Sequence, residues 1–312
     1  MKSEPRVILA AYSEVGVVCL EELLAQGARI VGVFTHADDQ FEEIWFRSVA
    51  RVAAEAGIPV FTPRDINSPI EIERIRALKP DFLFSFYYRN MIAPEILSIP
   101  PMGAYNMHGS LLPRYRGRAC VNWAVLKGES ETGVTLHVMT SRADAGDIVD
   151  QEAVSIEFTD TAQDVFWKVK DAAREVMSRT WPLLRDGHAK RRPQDETIAT
   201  KFGRRGPQDG LIDWNNAARD VYNLVRAVTH PFPGAFTHHD GKKLFIWKAF
   251  PLDGYPSGSP GDVLDMEPLV IGTGNGALRI DRCQLEGDTE MDGTAFATKS
   301  LKPGIKLGGK HL

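Results

Sequence analysis

Between Asn106 and Gly117 the chain reads Asn-Met-His-Gly-Ser-Leu-Leu-Pro-Arg-Tyr-Arg-Gly, which sets a carboxamide and an imidazole two residues apart at the end of an apolar stretch. Side chains alternate along a strand with a period of two, so a strand over Gly103 to His108 puts Asn106 and His108 on one face. The glycine and proline that follow break the strand at once. At the carboxyl end of a strand, where α/β sheets place their ligands, an amide donor beside a titratable ring suits chemistry that passes through an oxyanion. A lone histidine near a strand end is more often a structural hydrogen-bonding residue, so other residues must support catalysis.

The second informative segment is Arg142-Ala143-Asp144-Ala145-Gly146-Asp147, directly after a predicted strand, Gly133 to Met139, that carries His137. A loop at the carboxyl end of a neighbouring parallel strand would bring a carboxylate to the crevice of Asn106 and His108, orienting the imidazole and favouring its charged form. Spacing does not choose between Asp144 and Asp147, and capping a turn explains either equally well.

The elements that must position these residues are legible from periodicity. Val7 to Ala11 is an apolar run, Val15 to Ala25 has helical spacing and ends at Gly27, and Ile30 to Phe34 is apolar and β-branched. The alternation continues with a helix over Trp45 to Ala56, a strand at Val60 and Phe61, and a helix over Pro69 to Leu78. The strand Phe82 to Phe86 follows a Lys79-Pro80-Asp81 stop. A short helix at Val121 to Leu126 and a long one over Thr161 to Leu184 complete the pattern. It predicts an α/β, doubly wound, mostly parallel, Rossmann-like N-terminal domain over residues 1–203. After Arg191 the character changes. A helix near Ala217 to Val228, a Pro231-Phe232-Pro233-Gly234 breaker and short strands, three of them near 262–264, 269–271 and 277–280, predict a smaller β-rich, OB-like C-terminal domain over residues 204–312.

Composition narrows the function classes. The 312 residues carry a formal net charge of -4, which gives no general attraction to nucleic acid or an anionic membrane. Cys19, Cys120 and Cys283 lack the spacing of zinc or redox pairs and read as reduced thiols. The chain has no run of about eighteen apolar residues and no signal-peptide core, so a soluble cytoplasmic protein is expected. The turn after the first strand, Ala11-Tyr12-Ser13-Glu14-Val15-Gly16, lacks the glycines of a dinucleotide site and holds an acid where a phosphate would sit. No metal is expected: His238 and His239 are adjacent, alternate across a strand and read as surface residues.

The pair of motifs, Asn-x-His-x-Ser-Leu-Leu-Pro at Asn106 to Pro113 and Asp144 within Asp-Ala-Gly-Asp-Ile, resembles the folate-dependent formyltransferase superfamily. The resemblance implies a catalytic group of Asn106, His108 and Asp144, with Asp147 a bystander. Further stretches are similar to the formyltransferase domain of the ArnA-type UDP-4-amino-4-deoxy-L-arabinose formyltransferases of lipid A modification. Among them are Phe34-Thr35-His36, Phe84-Ser85-Phe86-Tyr87-Tyr88-Arg89, Asp213-Trp214 and Pro231-Phe232-Pro233-Gly234-Ala235-Phe236. By position this implies contacts to the formyl donor, N10-formyltetrahydrofolate, from Asn90, Met91, Ile92, Arg118, Thr140, Ser141, Arg142, Ala143 and Asp144. Two departures are Cys120 where the family usually has proline and Asn90 in place of a histidine. The resemblance leaves the chain acting alone or beside a separate decarboxylase.

In such a reaction the attacking amine loses a proton and the leaving nitrogen gains one, a shuttle that imidazole suits, so that role falls to His108. Asn106 would donate to the oxyanion. Methionyl-tRNA formylation is the rival activity. The run His36-Ala37-Asp38-Asp39-Gln40-Phe41-Glu42-Glu43 carries four acids where that activity wants a basic loop, so a nucleotide sugar is the expected acceptor. A binding protein without catalysis and a formate-releasing hydrolase are the readings from other classes.

Overall fold

The computed structural model describes residues 4–37, 43–252, 254–255, 258–302 and 304–308; most of the acidic run, residues 38–42, lies outside them. The chain divides into two compact units. One comprises Met1–Cys120, Glu131–Ser155 and Phe166–Gly203, and the other Val121–Ser130, Ile156–Val165 and Arg204–Leu312.

The first unit opens with β1 (Arg6–Ala11), α1 (Ser13–Ala25), β2 (Arg29–Phe34), α2 (Val49–Glu55), β3 (Val60–Phe61), α3 (Pro69–Leu78) and β4 (Phe82–Phe86). It continues with α4 (Pro94–Leu97), β5 (Ala104–His108), β6 (Arg116–Gly117), α5 (Cys120–Leu126), β7 (Glu131–Val138), β8 (Ile148–Ser155), α6 (Ala162–Arg185) and β9 (Lys201–Phe202). α5 and the start of α6 belong mainly to the second unit. Seven strands form one sheet in the order β3-β2-β1-β4-β5-β7-β8. Its first five members are parallel.

Local chemistry explains several element limits. Pro69 begins α3, where a missing N–H costs nothing, and Lys79 ends it in the left-handed conformation just before Pro80. β4 is buried along its whole length because both faces of the sheet are covered. Leu83 joins Ile8, Phe34 and Ile75 on one side. On the other, Phe82 and Phe84 pack edge-on against Trp181 of α6, with ring centroids 5.4 and 6.1 Å apart.

The helix expected over Trp45 to Ala56 begins only at Val49, because the Ser48 hydroxyl caps it through the Arg51 N–H. The Trp45 ring instead packs edge-on against Phe166 and Trp167. The strand that carries His137 is not parallel to its neighbour: β7 runs antiparallel to β5 and forms a hairpin with β8. The reason lies in the first residues of the connection, which bond to β7 beside the carboxyl end of β5. There the Thr135 hydroxyl donates to the Ser110 carbonyl at 2.7 Å and accepts from the Leu112 N–H and the Gln151 amide, at 3.0 and 2.8 Å. The loop after His108 is thereby tied to the middle of β7, opposite His108, and β7 runs back along β5.

The second unit holds α7 (Ala218–Val228), β10 (Ala235–His239), β11 (Lys242–Leu252), β12 (Val263–Met266), β13 (Leu269–Gly272), β14 (Ala277–Leu285), β15 (Met291–Asp292) and α8 (Gly293–Ser300). Its antiparallel sheet runs β10-β11-β14-β13-β12, with β15 paired to β14. His238 and His239 alternate across β10 as expected, but His239 is not a surface residue. It faces inward, 4 % exposed, with Phe296 edge-on to its ring. The three cysteines are free and buried. Among the described residues no helix is long and apolar enough to cross a membrane.

The buried Thr135 hydroxyl serves three partners, and valine fills the same space with none of them. Thr135→Val should cost about 2–3 kcal/mol in urea unfolding, since it strands buried polar groups. A change below about 0.5 kcal/mol would mean that the hydroxyl does not hold the loop.

Candidate active site

Antiparallel pairing of β5 with β7 sets Asn106 opposite His137 and His108 opposite Thr135, so these four side chains occupy one face in two adjacent cross-strand pairs. The His137 ring donates from Nδ1 to the Val138 carbonyl at 2.9 Å, which leaves Nε2 as an acceptor. The Asn106 side-chain amide donates to that Nε2 at 3.1 Å. This bond fixes which end of the Asn106 carboxamide carries nitrogen and leaves its second N–H for another acceptor. In the sequence His137 is only a residue on a predicted strand. Its partnership with Asn106 depends on strand register, which no local pattern reveals.

His108 is 6 % exposed. Its Nε2 donates to the Tyr115 carbonyl at 2.8 Å, and its Nδ1 lies 3.5 Å from Asp144 Oδ1. Both partners are acceptors, so each ring nitrogen faces an oxygen that can take a hydrogen bond. The Tyr115 carbonyl is aimed there by a left-handed backbone, φ 58°. Tyr87, Ala119 and Asp144 share that conformation, at φ 56°, 54° and 56°, so unfavourable backbone gathers around this site.

Asp144 reaches the imidazole by a different route from the one its spacing suggested. The loop leaves β7 beside the beginning of β5 and folds back, and Gly146 makes this fold possible because a Cβ there would overlap the Val138 carbonyl oxygen. The Asp144 carboxylate accepts from the Gly117 N–H at 2.9 Å and lies 3.7 Å from His137 Nε2. Gly117 in turn has φ 103° and no space for a Cβ against the Phe202 carbonyl. Burial works to raise the Asp144 carboxyl. The facing His108 and the Gly117 N–H outweigh it and hold Asp144 well below the usual carboxylate range. Asp147 is exposed and contributes its backbone carbonyl to the Val138 N–H.

The expected donor contacts divide into two groups. Met91, Ser141, Arg142 and Ala143 line a cleft of about 460 Å³ together with Arg116, Thr200 and Lys201, a volume suited to a small organic ligand. Asn90 is exposed, Ile92 is buried in the core, and neither lines that cleft. Thr140 shapes the loop through its hydroxyl, which donates to the Arg142 carbonyl at 3.0 Å. Arg118 donates to the Arg89 carbonyl at 3.1 Å. The loop over Arg89 to Ala93 is pinned elsewhere by residues not foreseen. Asn67 donates to the Met91 carbonyl and accepts from the Ala93 N–H, at 2.9 and 2.7 Å. His36 accepts from the Arg89 N–H at 3.1 Å and stacks on Tyr88, and burial with the Arg89 charge lowers it to about 4, which keeps that acceptor bare.

A half-buried donor amide, an imidazole and a carboxylate around one point can stabilise negative charge on a carbonyl oxygen and transfer protons. A nucleotide phosphate has no place at the N-terminus of α1, where the Glu14 carboxylate pairs with Arg47 at 2.6 Å. Among the described residues no group of three or more His, Cys, Asp or Glu is arranged to hold a metal ion.

Comparison with known proteins places this geometry in context. Residues 14–181, more than half of the chain, match the family model described as formyl transferase, and residues 205–301 match that of the formyl transferase C-terminal domain. Among solved structures, an N-formyltransferase from Helicobacter canadensis in complex with folinic acid and dTDP-3-aminofucose is similar at 21 % identity and TM-score 0.71, over 89 % of this chain and 98 % of that one. WlaRD, a sugar 3N-formyl transferase solved with dTDP and 5-N-formyl-THF, is similar at 20 % identity and TM-score 0.66, over 91 % and 99 %. HypX from Aquifex aeolicus in complex with tetrahydrofolic acid is similar at 20 % identity and TM-score 0.64, over 96 % of this chain and 47 % of its own. At these identities the likeness is one of fold.

The depressed Asp144 carboxyl has a consequence for stability. An unfolded aspartate titrates near about 3.9, above the folded value, so this carboxylate adds stability above about pH 4 that is lost as pH falls through the folded value. Urea unfolding at about pH 7 and about pH 3 should therefore show a larger acid loss in the native protein than in Asp144→Asn. Equal losses would mean that Asp144 is not held charged by the fold.

Proposed function

The chain belongs to the formyl transferase family, and we propose that it transfers the formyl group of N10-formyltetrahydrofolate to the 4-amino group of a UDP-linked amino sugar, with UDP-4-amino-4-deoxy-L-arabinose as the expected acceptor. The observation that carries the reading is the meeting of Asn106, His108 and Asp144 around one point. The folate supplies a formyl group on a weakly basic aryl nitrogen. The cleft beside Met91 and Ser141 to Ala143, adjoining the Asp144 loop, has the size for it.

The second N–H of Asn106 donates to the formyl oxygen as negative charge develops there, and the charged His108 adds a positive field at the same point. A C–N bond forms to the amine as the bond to the folate nitrogen breaks, and one proton moves from the first nitrogen to the second. His108 lets go of the Tyr115 carbonyl, gives its Nε2 proton to the leaving nitrogen and takes back the proton that the amine loses, while Asp144 keeps hold of the other side of the ring. The shuttle expected of His108 thus requires the ring to change one partner.

The preference for a nucleotide sugar over tRNA rests on charge. Asp38, Asp39, Glu42 and Glu43 in the sequence after Phe34, with a net charge of -4, oppose a polyphosphate acceptor stem. The structures that hold dTDP or a dTDP-sugar support the same acceptor class.

Incubation with the folate donor and a panel of UDP- and dTDP-linked amino sugars, with methionyl-tRNA alongside, should show formylation of a UDP-4-amino sugar and none of the tRNA. Formylation of tRNA alone would refute the acceptor. Asn106→Ala, His108→Ala and Asp144→Ala should each lose about a hundredfold or more in turnover while keeping a native circular-dichroism spectrum. A folded His108→Ala protein with native turnover would end the mechanism.

A further inference from the structure

Asp144 adopts a left-handed backbone conformation that is unfavourable for a non-glycine residue, and its carboxylate is pulled at once toward an imidazole and a backbone amide. Something must hold its backbone. The Gln194 carboxamide donates to the Asp144 carbonyl at 2.9 Å and to the Gly146 carbonyl at 2.7 Å, and so grips the loop on both sides of its turn. The oxygen of the same carboxamide accepts from Arg116 Nε and Nη2 at 3.1 and 2.7 Å. Arg116 is buried, and two more of its N–H groups go to Glu196 at 3.0 and 2.9 Å. The residue after Arg116 is Gly117, whose N–H holds the Asp144 carboxylate.

These contacts close a ring that runs from the Asp144 carboxylate through the Gly117 amide, the Arg116 guanidinium and the Gln194 carboxamide back to the Asp144 carbonyl. The pairing of β6 with β9, Arg116 beside Lys201 and Gly117 beside Phe202, braces it. We propose that Gln194 is a positioning residue: by tying the left-handed Asp144 loop to the buried Arg116, it keeps the carboxylate at His108. The inference rests on Asp144 acting as described above. No hydrogen bond of Gln194 reaches Asn106 or His108, so its influence passes through Asp144.

Gln194→Met fills nearly the same volume and removes all four bonds. Gln194→Glu keeps acceptors for Arg116 but turns oxygen toward both loop carbonyls. Each variant should lower kcat by about 10- to 100-fold, the scale of a misplaced catalytic group, and glutamate should not rescue. Introduced into Asp144→Asn, Gln194→Met should cost less than about threefold more, because the group it positions is already gone. Multiplicative losses in the double variant, or native turnover in Gln194→Met, would overturn the proposal. A second readout needs no turnover. The Asp144 carboxyl, followed by carbon NMR, should titrate at higher pH in Gln194→Met than in the native protein, and an unchanged titration would overturn the clamp. Native protein inactive with every acceptor would refute the proposed reaction, and the titration would still decide the role of Gln194.

Discussion

A carboxylate with 14 % of its side chain exposed, set beside an imidazole with 7 %, is the contact on which the rest of this site depends. Withdrawing charges from water is expensive, by several kcal/mol per ion, unless geometry and hydrogen bonds repay it. The surrounding structure is organised to do that. The Gly117 N–H meets one carboxylate oxygen, the His108 ring faces the other, and the Tyr115 carbonyl takes the far side of the ring. Left-handed backbone at Tyr115 and Asp144, and the absence of a Cβ at Gly117 and Gly146, follow from bringing these groups so close.

The reversal of β7 has a chemical consequence. A parallel neighbour would need a crossover after β5 and would not set His137 opposite Asn106 in this way. An antiparallel one keeps the motif loop at the strand end and lets Thr135 fasten it, while the next side chain on that face orients the Asn106 amide. Sheet topology therefore determines which atom of a carboxamide faces the reacting centre, and so whether it can donate to an oxyanion.

Much of the frame was legible because it rests on local rules. The limits of α3 and β4 coincide with those read from Pro69, the Lys79-Pro80 stop and the unbroken apolar run, all of which act within a few residues. The common face of Asn106 and His108 follows from strand periodicity alone. Harder to read were facts set by distant pairing. His137 meets Asn106 across 31 positions, and Gln194 meets Asp144 across 50. The direction of β7 depends on a loop anchored by one threonine hydroxyl. Spacing also left Asp144 and Asp147 undivided, and only the folded loop, with one carboxylate inside and the other exposed, separates them geometrically.

The most direct test of the account follows the formyl carbon itself. With carbon-13 in the formyl group of N10-formyltetrahydrofolate and a UDP-4-amino sugar as acceptor, carbon NMR should show the label moving to a formamide on the sugar nitrogen in the native protein and staying on the folate with His108→Ala. Release of the label as free formate, or its persistence on the folate with the native protein, would contradict the account.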